Sequence, residues 1–246
     1  VTTVRNVWAI FLRELGGFFL SPVAYVVIFL FLVTNGAMFS NYALVPTPAP
    51  RQITGIVEAL FGFDLIWVLF LSPLLTMRLF AEEKRSGTFE VLLTAPVTEW
   101  QVVLGKFLGA QAFYMLIWLG LAPLFAILAV LGKPDWGPIA AMYAGLFALG
   151  LLTNALGILA SAVTRNQLVA AILALTGNLF FYLLYLGAFF FPAQPEARRV
   201  VQYLSFTSHF GGDFFQGVVD LRHVFFYASW ALLFLFFSVR VVEARK

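Results

Sequence analysis

Apolar residues run through this chain in long stretches, and the polar positions fall between those stretches rather than within them. A helix needs about 20 predominantly apolar residues to cross the hydrocarbon core of a bilayer. Six segments meet that requirement: residues 22–40, 56–79, 107–131, 139–163, 168–191 and 224–242. Proline and charge mark the gaps, as in Pro46-Thr47-Pro48-Ala49-Pro50 and Lys133-Pro134-Asp135. Upstream of the first segment the pattern changes. Val4, Val7, Trp8, Phe11, Leu12 and Leu15 recur at three- and four-residue steps, with Arg5, Asn6, Arg13 and Glu14 between them. That period predicts a helix over 3–20 lying flat in the membrane interface. Gly16-Gly17 and Ser21-Pro22 supply the bend into the bilayer. The first long segment exceeds the roughly 7–15 residues of a signal-peptide core and no Ala-x-Ala follows it, so it is expected to span rather than be cleaved.

Composition agrees with the pattern. Hydrophobic residues make up 62% of the chain and charged residues 11%, against roughly 45–50% and about 25% in soluble domains. The fold class predicted is an all-α polytopic membrane protein, a single domain over 1–246. Basic residues orient it. With the first residue inside, Arg5, Arg13, Arg78, Lys84, Arg85, Lys106, Arg165, Arg240, Arg245 and Lys246 face inward, and Arg51, Lys133, Arg198, Arg199 and Arg222 face outward. The asymmetry predicts both termini in the cytoplasm. It also accounts for the net charge of +3 without a nucleic-acid partner. The absence of cysteine excludes disulfides and thiolate chemistry.

One block, residues 78–106, holds Arg78, Glu82, Glu83, Lys84, Arg85, Glu90, Glu99 and Lys106 between two apolar segments. Its order predicts structure. Ser86-Gly87 breaks the preceding helix, and Thr88 can cap a short one with Glu90 in its first turn. Phe89, Val91, Leu92 and Leu93 give that short helix an apolar surface, and Thr94-Ala95-Pro96 stops it. Thr98 and Gln101 form a capping box that opens the third span. The expectation is a loop over 81–97 presenting a short helix parallel to the membrane.

Searches for catalytic chemistry return little. No GxxxxGK[ST] motif is present, so the chain has no phosphate-binding P-loop. No GxSxG or HExxH motif occurs either. His209 and His223 belong to no metal-ligand spacing, and interfacial hydrogen bonding is the expectation for both. Asp64 is the clearest ionisable group inside a span, placed near its outer end. It joins Asn154 and Asn178 as candidate pathway residues. Ala141, Gly145, Thr153, Gly157 and Ser161 put small side chains along the fourth span, expected to pack within the chain, and Gly105 and Gly109 form a single GxxxG.

The stretch TMRLFAEEKRSGTFEVLLTAPVTEWQVVLGKFLGA, Thr76 to Ala110, resembles the first cytoplasmic loop of ABC-2 type permeases, the membrane subunits of ABC exporters. The similarity is closest to the branch associated with gliding motility and nitrous-oxide-reductase maturation. GVVDLRHVFFYASWALLFLF, Gly217 to Phe236, resembles the start of the last span in that branch, and RNVWAIFLRELGGFFLSPVAYVV fits its N-terminal interfacial helix. His223 departs from it, since an acid is expected beside Asp220 and Arg222.

The resemblance implies the six-span ABC-2 exporter fold in a bacterial inner membrane. The permease would pair with a second copy or a paralogue, and two separate ATPase subunits would supply ATP and magnesium. No cofactor is then expected in this chain. It further implies that Glu82, Glu83, Arg85, Gly87, Thr88, Phe89, Glu90, Val91, Leu92, Leu93 and Pro96 form the coupling element. Residues 192–222, with Tyr203, Phe206, Phe210, Phe214, Phe215, Gly217, Asp220 and Arg222, would form an outer hairpin capping the exit, turning at Gly211-Gly212. The importer signature is missing, because Glu58-Ala59-Leu60 lacks its third residue and its glycine. Export of a substrate is the main reading. A complex that drives a periplasmic or membrane partner without moving solute, with an auxiliary subunit, is the alternative, and a membrane-embedded enzyme a minor one.

Overall fold

The computed structural model describes residues 2–44, 53–88, 97–187 and 195–244. Among these every regular element is helical. The elements are α1 (Thr2–Phe19), α2 (Pro22–Phe39, extended by a π-helical turn Ser40–Leu44), α3 (Ile53–Thr76), α4 (Arg78–Ser86), α5 (Glu99–Leu119) and α6 (Ala122–Leu131). They continue with α7 (Trp136–Val163), α8 (Gln167–Gly187), α9 (Pro195–Leu204), α10 (Phe206–Phe210) and α11 (Leu221–Glu243). Six spans are long and apolar enough to cross a bilayer: Pro22–Ala43, Ile53–Ser86, Glu99–Leu131, Trp136–Val163, Gln167–Gly187 and Leu221–Glu243.

Local chemistry explains their ends. Pro22 sits in the first turn of α2, where its missing N–H is not needed. Thr98 caps α5 as expected: its hydroxyl accepts from Gln101 N at 3.4 Å, and the Gln101 side chain accepts from Thr98 N at 3.2 Å. Asp135 and Asp220 cap α7 and α11 by accepting from Gly137 N and Arg222 N. Two spans differ from expectation. The second stays helical to Ser86 rather than stopping at residue 79, with one irregular residue, Met77, four positions after Pro73. The third begins at Glu99 rather than residue 107.

The helix α7 is the hub, because small residues let its neighbours close on it. A Cβ at Gly150 would meet Tyr114 of α5 at 2.5 Å, and one at Gly157 would meet Thr76 of α3 at 2.0 Å. The small-residue stripe is therefore consumed inside the chain, as expected. The single GxxxG has a use the sequence reading undervalued. A Cβ at Gly105 would lie 2.7 Å from Ile10, and one at Gly109 would lie 2.9 Å from the Glu14 Cβ. Those two glycines seat α1 along α5. Ile10 and Phe18 face the protein, while Val4, Trp8 and Leu12 point outward, as an interfacial helix meeting lipid would require.

Candidate coupling site

At the end of the bundle where α1, α4 and α5 meet, four charged side chains converge. Lys106 leaves the second turn of α5, and its side chain is only 1% exposed. Its ammonium donates to Glu14 Oε1 at 2.9 Å and to Glu83 Oε1 at 2.8 Å. Arg13 joins from outside, 2.6 Å from Glu14 and 3.1 Å from Glu83. Phe80 closes one side, with the Lys106 ammonium 5.2 Å from its ring centre. A buried cation flanked by two carboxylates and an aromatic face has most of its lost hydration replaced. Burial alone would raise the Glu14 carboxyl, but Lys106 and Arg13 outweigh it and hold the group below its ordinary range. On the other side, Arg78 donates to the Gly17 carbonyl at 3.3 Å and lies 4.6 Å from the Phe18 ring centre. Three helices distant in sequence are thereby tied at one point.

In sequence Lys106 stands among the loop charges and Glu14 on a polar helix face, so neither is marked out locally as part of a cluster. The available signal was the position of Lys106 one residue after Gly105, where α1 approaches most closely.

The α4 helix is also fastened to α7. Ser161 Oγ accepts from Phe80 N at 3.0 Å and Ala81 N at 3.1 Å, and donates to the Met77 carbonyl at 2.9 Å. It thus satisfies the groups freed where α3 gives way to α4. Lys84 is buried and donates to the Ala162 carbonyl. Of the expected coupling residues, Glu83 belongs to the ion cluster, while Glu82, Arg85, Gly87 and Thr88 are exposed. Gly87 ends α4 with φ +77°, the left-handed conformation that favours glycine. Thr88 folds back, its hydroxyl 2.9 Å from Ser86 Oγ. Phe89, Glu90, Val91, Leu92, Leu93 and Pro96 lie outside the described residues.

The candidate pathway residues are not assembled. Asp64, Asn154 and Asn178 are each fully buried, on α3, α7 and α8. No hydrogen bond joins any two of them among the described residues. Asn154 donates to Gln111 of α5 at 2.9 Å. Asp64 was expected near the outer end of its span, and it lies eleven residues into α3, roughly 16 Å along the axis. The Asn35 amide is close enough to act on its carboxyl, yet neither Asp64 oxygen has a partner of hydrogen-bonding geometry.

The opposite end is closed by α9, α10 and the turn that follows. Phe206, Phe210 and Phe214 are fully buried, and a Cβ at Gly145 of α7 would meet Phe214 at 3.0 Å and Phe210 at 3.1 Å. Phe215 stands edge-on to Phe210, ring centres 5.8 Å apart. The chain turns at Gly212, φ +85°, and again at Gly217, φ +83°. At Gly217 a side chain would also strike Pro138. Asp220 and Arg222 pair with each other at 2.6 Å in the first turn of α11, which pulls the Asp220 carboxyl down to about 2. The contacts that cross to α11 run elsewhere: Tyr227 Oη donates to the Phe206 carbonyl at 2.7 Å, and His209 and His223 meet Nδ1 to Nδ1 at 2.7 Å. Burial pushes the His209 imidazole down, against the Tyr203 carbonyl, which favours its charged form. Sequence spacing gave no reason to join the two histidines.

Comparison with known proteins places this geometry in context. A family model described as "ABC-2 family transporter protein" matches residues 8–238. The chain is 31% identical over 185 residues to the protein described as "Probable multidrug ABC transporter permease YbhS" in Escherichia coli strain K12, and equally to its namesake in E. coli O157:H7. The alignment takes in 71% of this chain and 48% of each relative. The chain spans about half the length of the curated relatives it matches.

Proposed function

The chain belongs to the ABC-2 transporter family, and from that premise we propose that it is the membrane permease of an ATP-driven exporter, powered by separate ATPase subunits. The observation that carries this reading is the Lys106 cluster. It locks α1, α4 and α5 together, and α4 and α5 are the helices that flank residues 88–97 in sequence, one ending at the Gly87 cap and the other opening at the Thr98 capping box. A push on that segment reaches α4 and α5 at once. From α4 it passes into α7 through Ser161 and Lys84, and α7 runs the length of the bundle to the aromatic plug at Gly145. A binding event at one end thus has a continuous packed route to the other.

In this reading the α1 end faces the cytoplasm with both termini, the protein sits in a bacterial inner membrane, and a second permease completes the complex. Two ATPase subunits dock on the segment 88–97, where Phe89, Val91, Leu92 and Leu93 supply the apolar contact. Relatives described as probable multidrug permeases favour solute export over force transmission alone. The test is Leu92→Asp in the permease co-expressed with its ATPase. Loss of ATPase co-purification, with insertion and permease pairing intact, is the expected result. Wild-type co-purification and a wild-type ATPase rate would remove this segment from coupling.

A further inference from the structure

The hairpin end contains a side-chain chain that the transport reading does not use. His209 Nε2 is 2.7 Å from the Tyr203 carbonyl, His209 Nδ1 is 2.7 Å from His223 Nδ1, and His223 Nε2 is 3.0 Å from Asp213 Oδ2. The fixed end determines where the protons sit. A carbonyl oxygen only accepts, so His209 Nε2 carries hydrogen, and neutral His209 offers a lone pair at Nδ1. His223 Nδ1 must then donate, which leaves a lone pair on Nε2 of the neutral ring. That lone pair faces a carboxylate oxygen, which also only accepts. Two acceptors this close repel unless a cation stands between them. A third ligand, the second anionic one, is at hand: a carboxylate oxygen of Asp220 lies within 4.8 Å of the Asp213 and His223 donor atoms.

We propose that His223 Nε2, Asp213 and Asp220 form a binding site for a divalent first-row transition cation of the zinc class. One imidazole and two carboxylates are ligands zinc accepts, and three protein ligands leave a position for water. Magnesium and calcium prefer all-oxygen sites, so the imidazole selects against them. Bonds of about 2.1 Å at tetrahedral angles would set the nitrogen and oxygen roughly 3.4 Å apart, a few tenths of an ångström from their observed spacing of 3.0 Å. His209 acts as the outer partner, fixing the tautomer and aim of His223 through the far ring nitrogen. It is itself held, stacked on Phe226 with ring centres 3.9 Å apart. Arg222 is the cation nearest the ligands, and its side chain is 85% exposed, so it can swing away as the metal enters. The bound ion would tie the turn at Asp213 to the first turn of α11 and lock the hairpin shut. A shared proton could bridge the same pair, and the experiment separates the two.

The full chain, purified in detergent without a polyhistidine tag and stripped with EDTA, is titrated with Zn²⁺ at neutral pH by calorimetry, and with Co²⁺ followed by visible absorption. One Zn²⁺ per chain is expected, with a cobalt spectrum of a four- or five-coordinate site. Asp213→Asn, His223→Gln and Asp220→Asn should each weaken binding at least about tenfold, and His209→Gln about tenfold through the outer partner. Asparagine preserves the α11 cap at position 220. Asp213 has a side chain 43% exposed, so Asp213→Asn tolerates substitution and decides the matter even if His223→Gln fails to fold. Wild-type uptake no greater than that of Asp213→Asn overturns the proposal. It would mean either that a proton alone bridges the pair or that the metal binds elsewhere.

Discussion

At the α1 end Lys106 is enclosed by two carboxylates from two other helices, whereas at the hairpin end Phe206, Phe210 and Phe214 fill the space over Gly145. Both arrangements join elements far apart in sequence, and both rely on a glycine for close approach. Their physics differs. Charge pairs are directional, and removing one member strands the other in a medium where it cannot be hydrated. Aromatic packing is spread over many weak contacts and loses stability in proportion to the volume removed. The first kind of joint has few alternative arrangements, which suits an end that relays motion. The second excludes water over an area, which suits an end that seals.

The comparison can be broken most sharply at Lys106. Lys106→Met removes the buried cation and leaves Glu14 and Glu83 with only the half-exposed Arg13 as counter-ion, and should destabilise the α1 junction by about 3–5 kcal/mol. The thermal midpoint of the detergent-solubilised chain measures this. The triple variant Glu14→Gln, Glu83→Gln, Lys106→Met should recover most of the loss, because it removes the uncompensated carboxylate charges that the single variant strands. Failure of the triple variant to recover would mean that packing, not charge, holds this end.

Next come the paired glycines. Gly105→Ala and Gly145→Ala each force a side chain into occupied space, with an expected cost of about 1–3 kcal/mol. Gly105→Ala should loosen α1 and raise protease sensitivity near Arg13, and Gly145→Ala should do so in the hairpin. If each change affected both ends equally, the two joints would not be separate units.

Tyr227→Phe should cost about 0.5–1.5 kcal/mol by removing the buried hydrogen bond to the Phe206 carbonyl, and proteolysis of the hairpin would report it. The smallest effect is expected at Arg13, whose side chain is 54% exposed. Arg13→Ala should change the stability by about 0.2–1 kcal/mol, and less in high salt.

Acid should loosen the α1 end. The Glu14 carboxyl is held below its ordinary range, so its contribution is present at neutral pH. It is lost as pH falls below about 4.3, the usual glutamate value, and through the lowered one. Release of α1 in that window, read by proteolysis near Arg13, is the expected outcome.

Much of this architecture was readable from the chain. The six spans follow from the length of the apolar segments, because an unpaired backbone or a charge cannot be left in lipid. The amphipathic period of residues 3–20 was equally plain, and Thr98-Gln101 announced the cap of α5 by local hydrogen bonding alone. The sites were less legible. Glu83 and Lys106 were both read as charges of the block 78–106, but their meeting with Glu14 was not, since 92 positions separate Glu14 from Lys106. The full burial of Asp64 was not legible, because position along a helix says nothing of what packs around it.

What the sequence by itself determined are the properties set by near neighbours: hydrophobic length, helical period, caps at Thr98, Asp135 and Asp220, and the glycine turn at Gly87. The meeting of Lys106 with Glu14 and Glu83, the docking of Ser161 on the break at Met77, and the contact of His209 with His223 were decided only in three dimensions. Each depends on which faces of separate helices come together. That choice is made by side-chain packing over the whole bundle, with glycines admitting the close approaches, and no local pattern of residues encodes it.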